Sequence, residues 1–386
     1  MKRLLQPFVL IVTAILALGY AYVALRLGAG LWDRLALAVP FLLVWIVPVV
    51  YWSGDREGGG RLDEALHVAS YLSMAWLSFL LVLTLARDVL LLATVWAPAS
   101  TPHLLLREHG AMAVVVGSFI ALVVGALVAL RGPHVCRVDI PIEGLHPDLE
   151  GFRIVQISDL HVGLTIRRRY VERVVELAES LTPDMIALTG DIVDGSVAAL
   201  APHVEPLRRL TATPTFFILG NHDCYSGAAP WIAHFKTMGM RVLLNSNEVM
   251  TRGAARLLIG GVVDPALRMS NPDLEPRADH AAANGGDADL RVLLAHNPKL
   301  APLGARAGFD LQLSGHTHAG QFFPWTLAVR LVHAPHVAGL SREGRMHVYV
   351  SAGTGTWGPP VRFGTKPELT VVRLVAAGGS GERVNG

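Results

Sequence analysis

Residues 152–161, Phe152-Arg-Ile-Val-Gln-Ile-Ser-Asp-Leu-His161, decide the fold of the larger part of this chain. An apolar, largely β-branched run ends at Ser158, and two polar side chains, Asp159 and His161, follow it almost at once. Short apolar runs bounded by turn residues are typical of buried strands. The same order, an apolar run and then potential metal ligands, recurs four more times downstream. This repetition predicts an α/β domain.

The candidate ligands all follow predicted strands. Asp159 and His161 follow residues 152–158, Asp191 and Asp194 follow 185–190, Asn221, His222 and Asp223 follow 215–220, His296 follows 291–295, and His316 and His318 follow 309–314. Amphipathic stretches at 168–181 and 229–238 predict helices between strands, and later strands are predicted at 257–263, 346–350 and 369–374. Sites in open α/β sheets form beyond the carboxyl ends of the strands. We therefore expect these side chains to meet at one rim.

Each motif alone has a simpler interpretation. Asp-x-His and Gly-Asp-x-x-Asp often form turns or helix caps, Gly-Asn-His-Asp can be a turn, and a lone His296 can be a buried core histidine. Five such motifs in succession favour a metal site instead. Mixed imidazole and carboxylate ligands suit Mn²⁺, Fe²⁺ or Zn²⁺. Seven ligands exceed what one open catalytic ion needs, so we expect two divalent cations acting together on a phosphate-type displacement.

The composition indicates a membrane protein. Of the 386 residues 52% are hydrophobic and only 17% are charged, which excludes a disordered chain and disfavours a purely soluble one. The net charge of +2 gives no general attraction to nucleic acid, and no nucleic-acid partner is expected. The two cysteines, Cys136 and Cys224, cannot form a disulfide framework. The sequence does not indicate the oligomeric state.

The excess hydrophobicity lies at the N-terminal end. Residues 8–25, 35–52, 65–86 and 110–130 are apolar windows long enough to cross a bilayer, which takes roughly 17–25 residues. The first window after Lys2 and Arg3 could instead be a signal peptide, but three more windows follow it. The apolar run 89–97 is interpreted as an extension of the third helix or an interfacial segment. The distribution of lysine and arginine between the loops that connect these windows weakly favours a protein of the inner membrane whose C-terminal domain is cytoplasmic.

These patterns divide the chain into four regions. We expect a transmembrane region at residues 1–131, a linker with an early edge strand (136–140) at 132–151, the α/β domain at 152–375, and a flexible tail at 376–386. Residues 265–289, rich in Pro, Ala, Gly and Asp, are long for an ordinary connection. They are predicted to be a mobile flap or disordered.

The five motifs, in this order, resemble the calcineurin-like metallophosphoesterase superfamily, and the resemblance covers roughly residues 150–375. The apolar N-terminal windows are similar to its membrane-anchored branch, which includes the YaeI- and YkuE-type phosphoesterases and the transmembrane metallophosphoesterases. The resemblance implies a four-layer α-β-β-α sandwich with two facing sheets. It also implies the ligand sets: Asp159, His161, Asp191 and His318 for the first metal, and Asp191, Asn221, His296 and His316 for the second.

The resemblance further implies roles beyond the ligands. Asp191 would bridge the two cations, His222 would protonate the leaving oxygen or stabilise charge on the phosphorus, and Asp223 would orient His222. Arg362, in a Gly/Pro-rich stretch, is a separate candidate for pairing with the substrate phosphate, although a surface salt bridge is an equal alternative.

The expected function is therefore a membrane-anchored phosphoesterase. A metal-activated hydroxide would attack a phosphodiester or pyrophosphate bond, and a substrate linked to a lipid would suit an enzyme held at the bilayer. Two alternatives stay open: a nuclease or nucleotide phosphatase of the same superfamily, and a non-enzymatic membrane transporter or sensor with a degenerate metal-binding module. The last is disfavoured because the apolar windows hold almost no ionisable groups.

Overall fold

The strands that precede the candidate ligands lie in two six-stranded sheets. The computed structural model describes residues 7–45 and 60–378. The first sheet has the order β1 (His134–Ile142), β12 (Glu368–Ala376), β2 (Arg153–Ile157), β3 (Met185–Leu188), β4 (Thr215–Phe217) and β5 (Arg241–Val242). The second has the order β10 (Gly339–Glu343), β11 (Met346–Val350), β9 (Leu311–Ser314), β8 (Leu290–Leu294), β7 (Ala255–Gly261) and β6 (Ser246–Arg252).

Strands β2 to β5 run parallel, so their carboxyl ends share one edge of the first sheet. Strands β7, β8, β9 and β11 are likewise parallel in the second sheet. Strands β12 and β1 run in the opposite direction in the first sheet, because β12 pairs antiparallel with β2 and parallel with β1. The two parallel runs supply the strand ends at which the site is built.

The central strands are apolar almost throughout because both of their faces are buried. On β2, Ile154 packs in the core between the two sheets, whereas Val155 and Ile157 pack against helices on the outer face. Successive side chains on a strand point to opposite faces, so a strand covered on both sides needs an apolar residue at nearly every position. The exception on β2 is Gln156, whose buried amide donates to the Ser314 carbonyl at 2.9 Å and so ties β2 to β9.

Helices cover the outer face of each sheet. The outer face of the first sheet packs against α6 (Arg168–Ser180), α7 (Val197–Val204) and α9 (Ala228–Thr237), with the short helix α8 (Asn221–Tyr225) beside them. The outer face of the second sheet packs against α10 (Ala278–Ala282) and α11 (Ala301–Arg306). The layers therefore run helix, sheet, sheet, helix, as the resemblance implies. A further helix, α12 (Trp325–His333), follows β9 and has no buried residue.

The N-terminal helices form a second unit. They are α1 (Pro7–Leu27), α2 (Leu31–Val44), α3 (Arg61–Ala93), α4 (Thr101–Glu108) and α5 (Gly110–Leu130). Two short segments from later in the sequence, Phe322–Pro324 and Gly358–Phe363, belong to this unit. Phe322 and Val361 pack with residues of α3 and α5 in one apolar cluster. Trp76 of α3 donates to the Ser118 hydroxyl of α5 at 3.0 Å, a polar contact between two largely apolar helices.

Two of the four predicted membrane windows are helices long and apolar enough to cross a bilayer. They lie in α3, which continues to Ala93 and so includes the first part of the 89–97 run, and in α5. The first window forms α1, in which the apolar stretch Thr13–Leu27 is shorter. The second window begins in α2, which ends at Val44, and its later part lies outside the described residues. Residues 7–45 and 60–378 therefore contain two candidate spans, and four spans stay a proposal.

Two regions differ from the sequence prediction. Residues 132–151 are more than a linker, because β1 covers His134–Ile142 and pairs with β12 along its whole length, at the sheet edge predicted for it. Residues 265–289 are not disordered: they contain a 3₁₀ turn (Pro265–Met269) and α10, whose Ala278 and Ala281 are buried. Small alanine side chains let this helix pack closely on the second sheet, a tertiary effect that composition alone does not reveal.

Candidate metal centre

The seven predicted metal ligands come together where the parallel strands of both sheets end. Asp159, Asp191 and Asn221 follow β2, β3 and β4, and His296 and His316 follow β8 and β9. A pocket of about 290 Å³ opens at this rim. It is lined by His161, Asp191, Asn221, His222, Tyr225, His316, His318 and Trp357. Tyr225 and Trp357 are pocket residues that no ligand-type pattern in the sequence could identify.

The backbone at the rim turns sharply. Five of the seven predicted ligands have a positive φ: Asp159 (53°), His161 (52°), Asp191 (53°), His316 (73°) and His318 (50°). Residues other than glycine seldom adopt this left-handed conformation, and such strain concentrates at functional sites. The turns are held by backbone bonds between the loops, for example from the Asp159 N–H to the Gly190 carbonyl at 3.0 Å.

Asp159, His161 and His318 form the first cluster of potential ligand atoms, all within 4.8 Å of one another. The Nε2 atoms of His161 and His318 lie 3.0 Å apart, and Asp159 Oδ1 is 3.4 Å from His318 Nε2. Asp159 Oδ2 is buried and has no hydrogen-bond donor among residues 7–45 and 60–378. A buried carboxylate oxygen left in this state is costly unless a cation or another donor serves it.

Asp191, His296 and His316 form the second cluster. His296 Nε2 lies 3.1 Å from Asp191 Oδ2 and 3.3 Å from His316 Nδ1. The side-chain oxygen of Asn221 is 2.8 Å from the same His316 nitrogen, which places an amide oxygen beside the three charged or imidazole ligands. The four residues that the resemblance assigns to the second metal are therefore adjacent.

Asp191 lies between the two clusters. Its Oδ1 accepts the backbone N–H of His222 at 2.7 Å, which fixes the carboxylate. Its Oδ2 is 3.1 Å from His296 Nε2 and 3.9 Å from His161 Nε2, so one oxygen faces a histidine of each cluster. This is the arrangement that a bridging carboxylate needs. A third grouping, His161, Asp191 and His222, also has its ligand atoms within 4.8 Å, so the geometry alone permits His222 as a ligand.

In two of the histidine rings, the Nδ1 atom already has a hydrogen-bond partner outside the ligand cluster. His161 Nδ1 donates to the Asp194 carboxylate at 3.0 Å, and His296 Nδ1 donates to the Thr189 carbonyl at 2.8 Å. Metal-binding histidines commonly donate their second ring N–H in this way, which fixes the tautomer and leaves the other nitrogen for the cation. Together with the unpaired Asp159 oxygen, this donor set fits divalent cations.

The pKa shifts of the clustered histidines also agree with a site for divalent cations. Burial alone would lower the pKa of His161, but the carboxylates of Asp194, Asp191 and Asp159 raise that pKa to about 9. Burial likewise opposes the charged form of His296, yet Asp191 raises the pKa of His296 well above its ordinary value. Burial and the neighbouring charge of His296 lower the pKa of His316 to about 3. In the protein without cations, protons on His161 and His296 balance the buried carboxylates.

Asp194, rather than Asp223, holds His222. The Nδ1 atom of His222 lies 2.8 Å from Asp194 Oδ1, and the same carboxylate bonds His161. Asp223 is fully buried and accepts backbone N–H groups of Gly220, Asp191, Ile192 and Val193. The orienting role expected of Asp223 is thus corrected: its carboxylate faces the loop after β3, whereas Asp194 reaches the ring. The Gly-Asp-x-x-Asp motif contained Asp194, but spacing alone did not assign it a partner.

Arg362, unlike the other predicted site residues, belongs to the helical unit and not to the α/β unit. Its side chain is buried, and its backbone N–H donates to the Gly125 carbonyl at 2.9 Å within the helical unit. The predicted contact of Arg362 with a substrate phosphate stays a prediction.

Comparisons with known proteins agree with this geometry. Residues 152–320 match the family model described as calcineurin-like phosphoesterase. A transmembrane protein with metallophosphoesterase domain from Danio rerio is 35% identical over 285 residues, which cover 69% of this chain and 65% of that protein. The chain therefore spans less than two thirds of the length of that relative.

Two bacterial relatives are matched over more of their length. An uncharacterized metallophosphoesterase of Campylobacter jejuni is 31% identical over 76% of this chain and 77% of its own length. The uncharacterized metallophosphoesterase YkuE of Bacillus subtilis is 30% identical over 67% of this chain and 95% of its own length. With the matched motifs on the strand ends that form the pocket, this chain belongs to the calcineurin-like phosphoesterase family.

Proposed function

We propose that this chain is a membrane-anchored phosphoesterase that binds two divalent cations, Mn²⁺, Fe²⁺ or Zn²⁺, and hydrolyses phosphodiester or pyrophosphate bonds in lipid-linked substrates. The observation that carries the proposal is the pair of ligand clusters joined through Asp191. Asp159, His161, Asp191 and His318 would hold one cation, and Asp191, Asn221, His296 and His316 the other. When bound, the cations supply Lewis acidity towards phosphate oxygens and lower the pKa of water.

Residues of this chain would supply the proton transfer and hold the catalytic groups in position. His222 lines the pocket, and Asp194 fixes its ring through Nδ1, which leaves Nε2 to give a proton to the leaving oxygen. Asp194 is thus a positioning residue for both His222 and His161. Trp357 and Tyr225 lie against the His222 ring, with ring centroids 5.6 and 5.5 Å away, and limit its movement. Most of the rate enhancement would come from placing substrate among fixed charges.

The membrane part of the proposal rests on the helical unit. Large apolar side chains on α1, α3 and α5 are exposed, among them Leu18, Leu92, Met112 and Phe119. Apolar surface of this extent is unfavourable in water and ordinary in lipid. We propose four spans in the inner membrane with the catalytic domain in the cytoplasm, and a substrate drawn from the bilayer.

The catalytic assignment is tested with His222→Ala in the full chain, purified in detergent and loaded with Mn²⁺. Bis(para-nitrophenyl) phosphate is the substrate, and bound metal is measured by elemental analysis. We expect wild-type metal content and a loss of turnover of about 10²–10⁴-fold, the range for one acid–base group. Loss of metal from this variant would instead make His222 a ligand. Full turnover with full metal content would contradict its role.

The same preparation separates the alternatives. Hydrolysis of lipid-linked pyrophosphates in preference to nucleotides supports the proposed substrate class, and the reverse preference supports a nucleotide phosphatase. A chain that binds no cation and leaves every phosphoester intact would be a non-enzymatic membrane protein.

A further inference from the structure

The solvent-facing side of α12 is apolar. Trp325, Leu327, Leu331 and Val332 are 48%, 55%, 90% and 58% exposed. With about 100° of rotation per residue, these four positions and Ala328 form one continuous strip on the outside of the helix. The more covered side carries Thr326, Val329 and His333. The usual distribution, with a polar outer face and an apolar inner face, is therefore reversed.

Helix α6 shows the contrast within the same unit. Its exposed positions are all polar: Arg168, Arg169, Arg173, Glu176, Glu179 and Ser180. Its apolar side chains, among them Val171 and Val175, are buried in the core. The exposed side of α6 is therefore polar, as expected for a helix in water. The exposed side of α12 instead carries apolar side chains of the kind that α6 buries.

The charge around α12 fits an anionic surface. From Gly320 to Gly339 the sequence has no acidic residue, and the exposed Arg330 lies beside the apolar strip. A helix with an apolar face, a tryptophan and a basic neighbour, here Arg330, is typical of segments that lie in the headgroup region of a bilayer. A protein partner does not in general exclude acidic side chains from the surface that it covers. The absence of acidic side chains around α12 therefore favours an anionic bilayer over a protein.

The position of α12 in the sequence also favours a bilayer as the surface that covers its apolar strip. The segment Phe322–Pro324 belongs to the helical unit, where Phe322 packs on Phe79 with ring centroids 5.6 Å apart. Helix α12 begins at the next residue, Trp325. Helix α12 therefore follows, directly in sequence, a segment of the unit that contains the candidate spans.

We propose that α12 docks on the surface of a lipid bilayer, with Trp325, Leu327, Leu331 and Val332 inserted at the boundary between headgroups and acyl chains. The last residue of the helix, His333, lies beside His316 of the metal centre, with ring centroids 5.3 Å apart. A bilayer against α12 would thus present phosphoesters of membrane lipids next to the pocket. This consequence for substrate choice rests on the proposed phosphoesterase activity, whereas docking rests only on the proposed membrane anchor.

Docking is tested by fluorescence in the full chain, reconstituted in nanodiscs of phosphatidylcholine and phosphatidylglycerol. An environment-sensitive label is attached at Leu331→Cys, and at Glu176→Cys on α6 as the matched control, with the unsubstituted chain as the blank for Cys136 and Cys224. We expect blue-shifted emission at position 331 that acyl-chain-brominated lipid quenches, and neither effect at 176. Leu327→Cys serves as a second position if the first variant does not fold.

Two outcomes would overturn docking. Emission at 331 and 327 that matches the control would show that the strip faces water. A blue shift that brominated lipid does not quench, but that depends on protein concentration, would show that a second copy of the chain covers the strip.

The consequence for substrate is tested with the double variant Leu327→Gln, Leu331→Gln. Hexadecyl para-nitrophenyl phosphate in vesicles and soluble bis(para-nitrophenyl) phosphate are compared. We expect the ratio of vesicle to soluble hydrolysis to fall about tenfold, with soluble hydrolysis unchanged, because the effective concentration of the bilayer substrate is lost. An unchanged ratio contradicts the consequence. If the wild-type chain hydrolyses neither ester, the proposed function fails, and the fluorescence result still decides docking.

Discussion

Asp194 is the residue on which two histidines of the site depend. One carboxylate bonds Nδ1 of both His161 and His222, so it orients a candidate ligand and the candidate acid together. Burial would raise the pKa of Asp194, but the two histidines lower that pKa well below its usual range. The carboxylate is therefore charged at neutral pH and fixes both rings through Nδ1, so that Nε2 is the ring nitrogen left for a cation at His161 and for the substrate at His222.

Asp194→Asn is expected to lower hydrolysis about 10–100-fold, the usual effect of removing a partner behind a metal ligand. The amide keeps the size of the side chain but loses its charge. Initial rates and metal content of the full chain measure the effect, and Asp139→Asn, a surface aspartate paired with Arg373, is the control. Unaltered rates for Asp194→Asn would show that the carboxylate does not position the rings.

Metal uptake is expected to release protons. In the metal-free centre His161, with a pKa of about 9, and His296, with a raised pKa, are protonated at neutral pH, and a cation binds only neutral imidazole. Affinity for Mn²⁺ should therefore weaken as the pH falls. Calorimetric titrations at one neutral pH in Hepes and in Tris measure the protons released. Identical heats in the two buffers would contradict this charge balance.

The residue scale is also where sequence reasoning was least complete. The ligand types could be predicted because each motif follows an apolar run directly. The partner of His222 could not, since Asp223 is its neighbour in sequence but the turn after Gly220 directs Asp223 to backbone amides. The left-handed backbone at Asp159 and His316 could not be predicted either, because aspartate and histidine adopt it more often than most residues but still only in a small minority of cases.

At the scale of elements, tight strand-to-loop turns set the position of the carboxylates. Gly220 follows β4, and a Cβ there would overlap the Asp191 carboxylate. Gly315 follows β9, and a Cβ there would overlap Ser158 and Asp159 Oδ2. Both glycines leave room for the carboxylates to sit close to the neighbouring loop.

Gly220→Ala is expected to reduce metal content and hydrolysis together and to destabilise the fold by about 1–3 kcal/mol, as overpacking does. Gly117→Ala in α5, where the added methyl makes an ordinary contact with Leu83, is the control. Metal content and the thermal unfolding midpoint are measured for both. Normal metal loading of Gly220→Ala would show that Asp191 does not need this close approach.

Strands buried on both faces could be predicted to within a few residues, and β11 coincides with its prediction. Strands β5, β6 and β10 were missed because they are short or half-exposed and therefore lack a continuous apolar run. The insertion of β12 between β1 and β2 was not foreseen either. That pairing joins segments far apart in sequence, and no local pattern specifies it.

At the scale of the whole molecule, the chain has an apolar helical unit and an α/β unit with the candidate metal centre. We expect the full chain to remain in the membrane pellet after alkaline carbonate extraction, because α3 and α5 expose apolar side chains that water does not tolerate. Recovery in the supernatant would contradict membrane insertion.

The proposed orientation has its own test. Arg345 lies in the exposed turn between β10 and β11. Arg345→Cys is expected to react with a membrane-impermeant maleimide only after the cells are lysed, if the α/β unit is cytoplasmic. Labelling in intact cells would reverse the orientation.

Counting cations in the purified full chain and in Asp191→Asn tests the account most directly. Elemental analysis after Mn²⁺ loading should find two ions per wild-type chain, together with hydrolysis of bis(para-nitrophenyl) phosphate. Removing the charged oxygen that faces both clusters should abolish both properties. Fewer than two ions in an inactive wild-type chain, or an Asp191→Asn variant that keeps both ions and full activity, would contradict a centre built around a shared carboxylate.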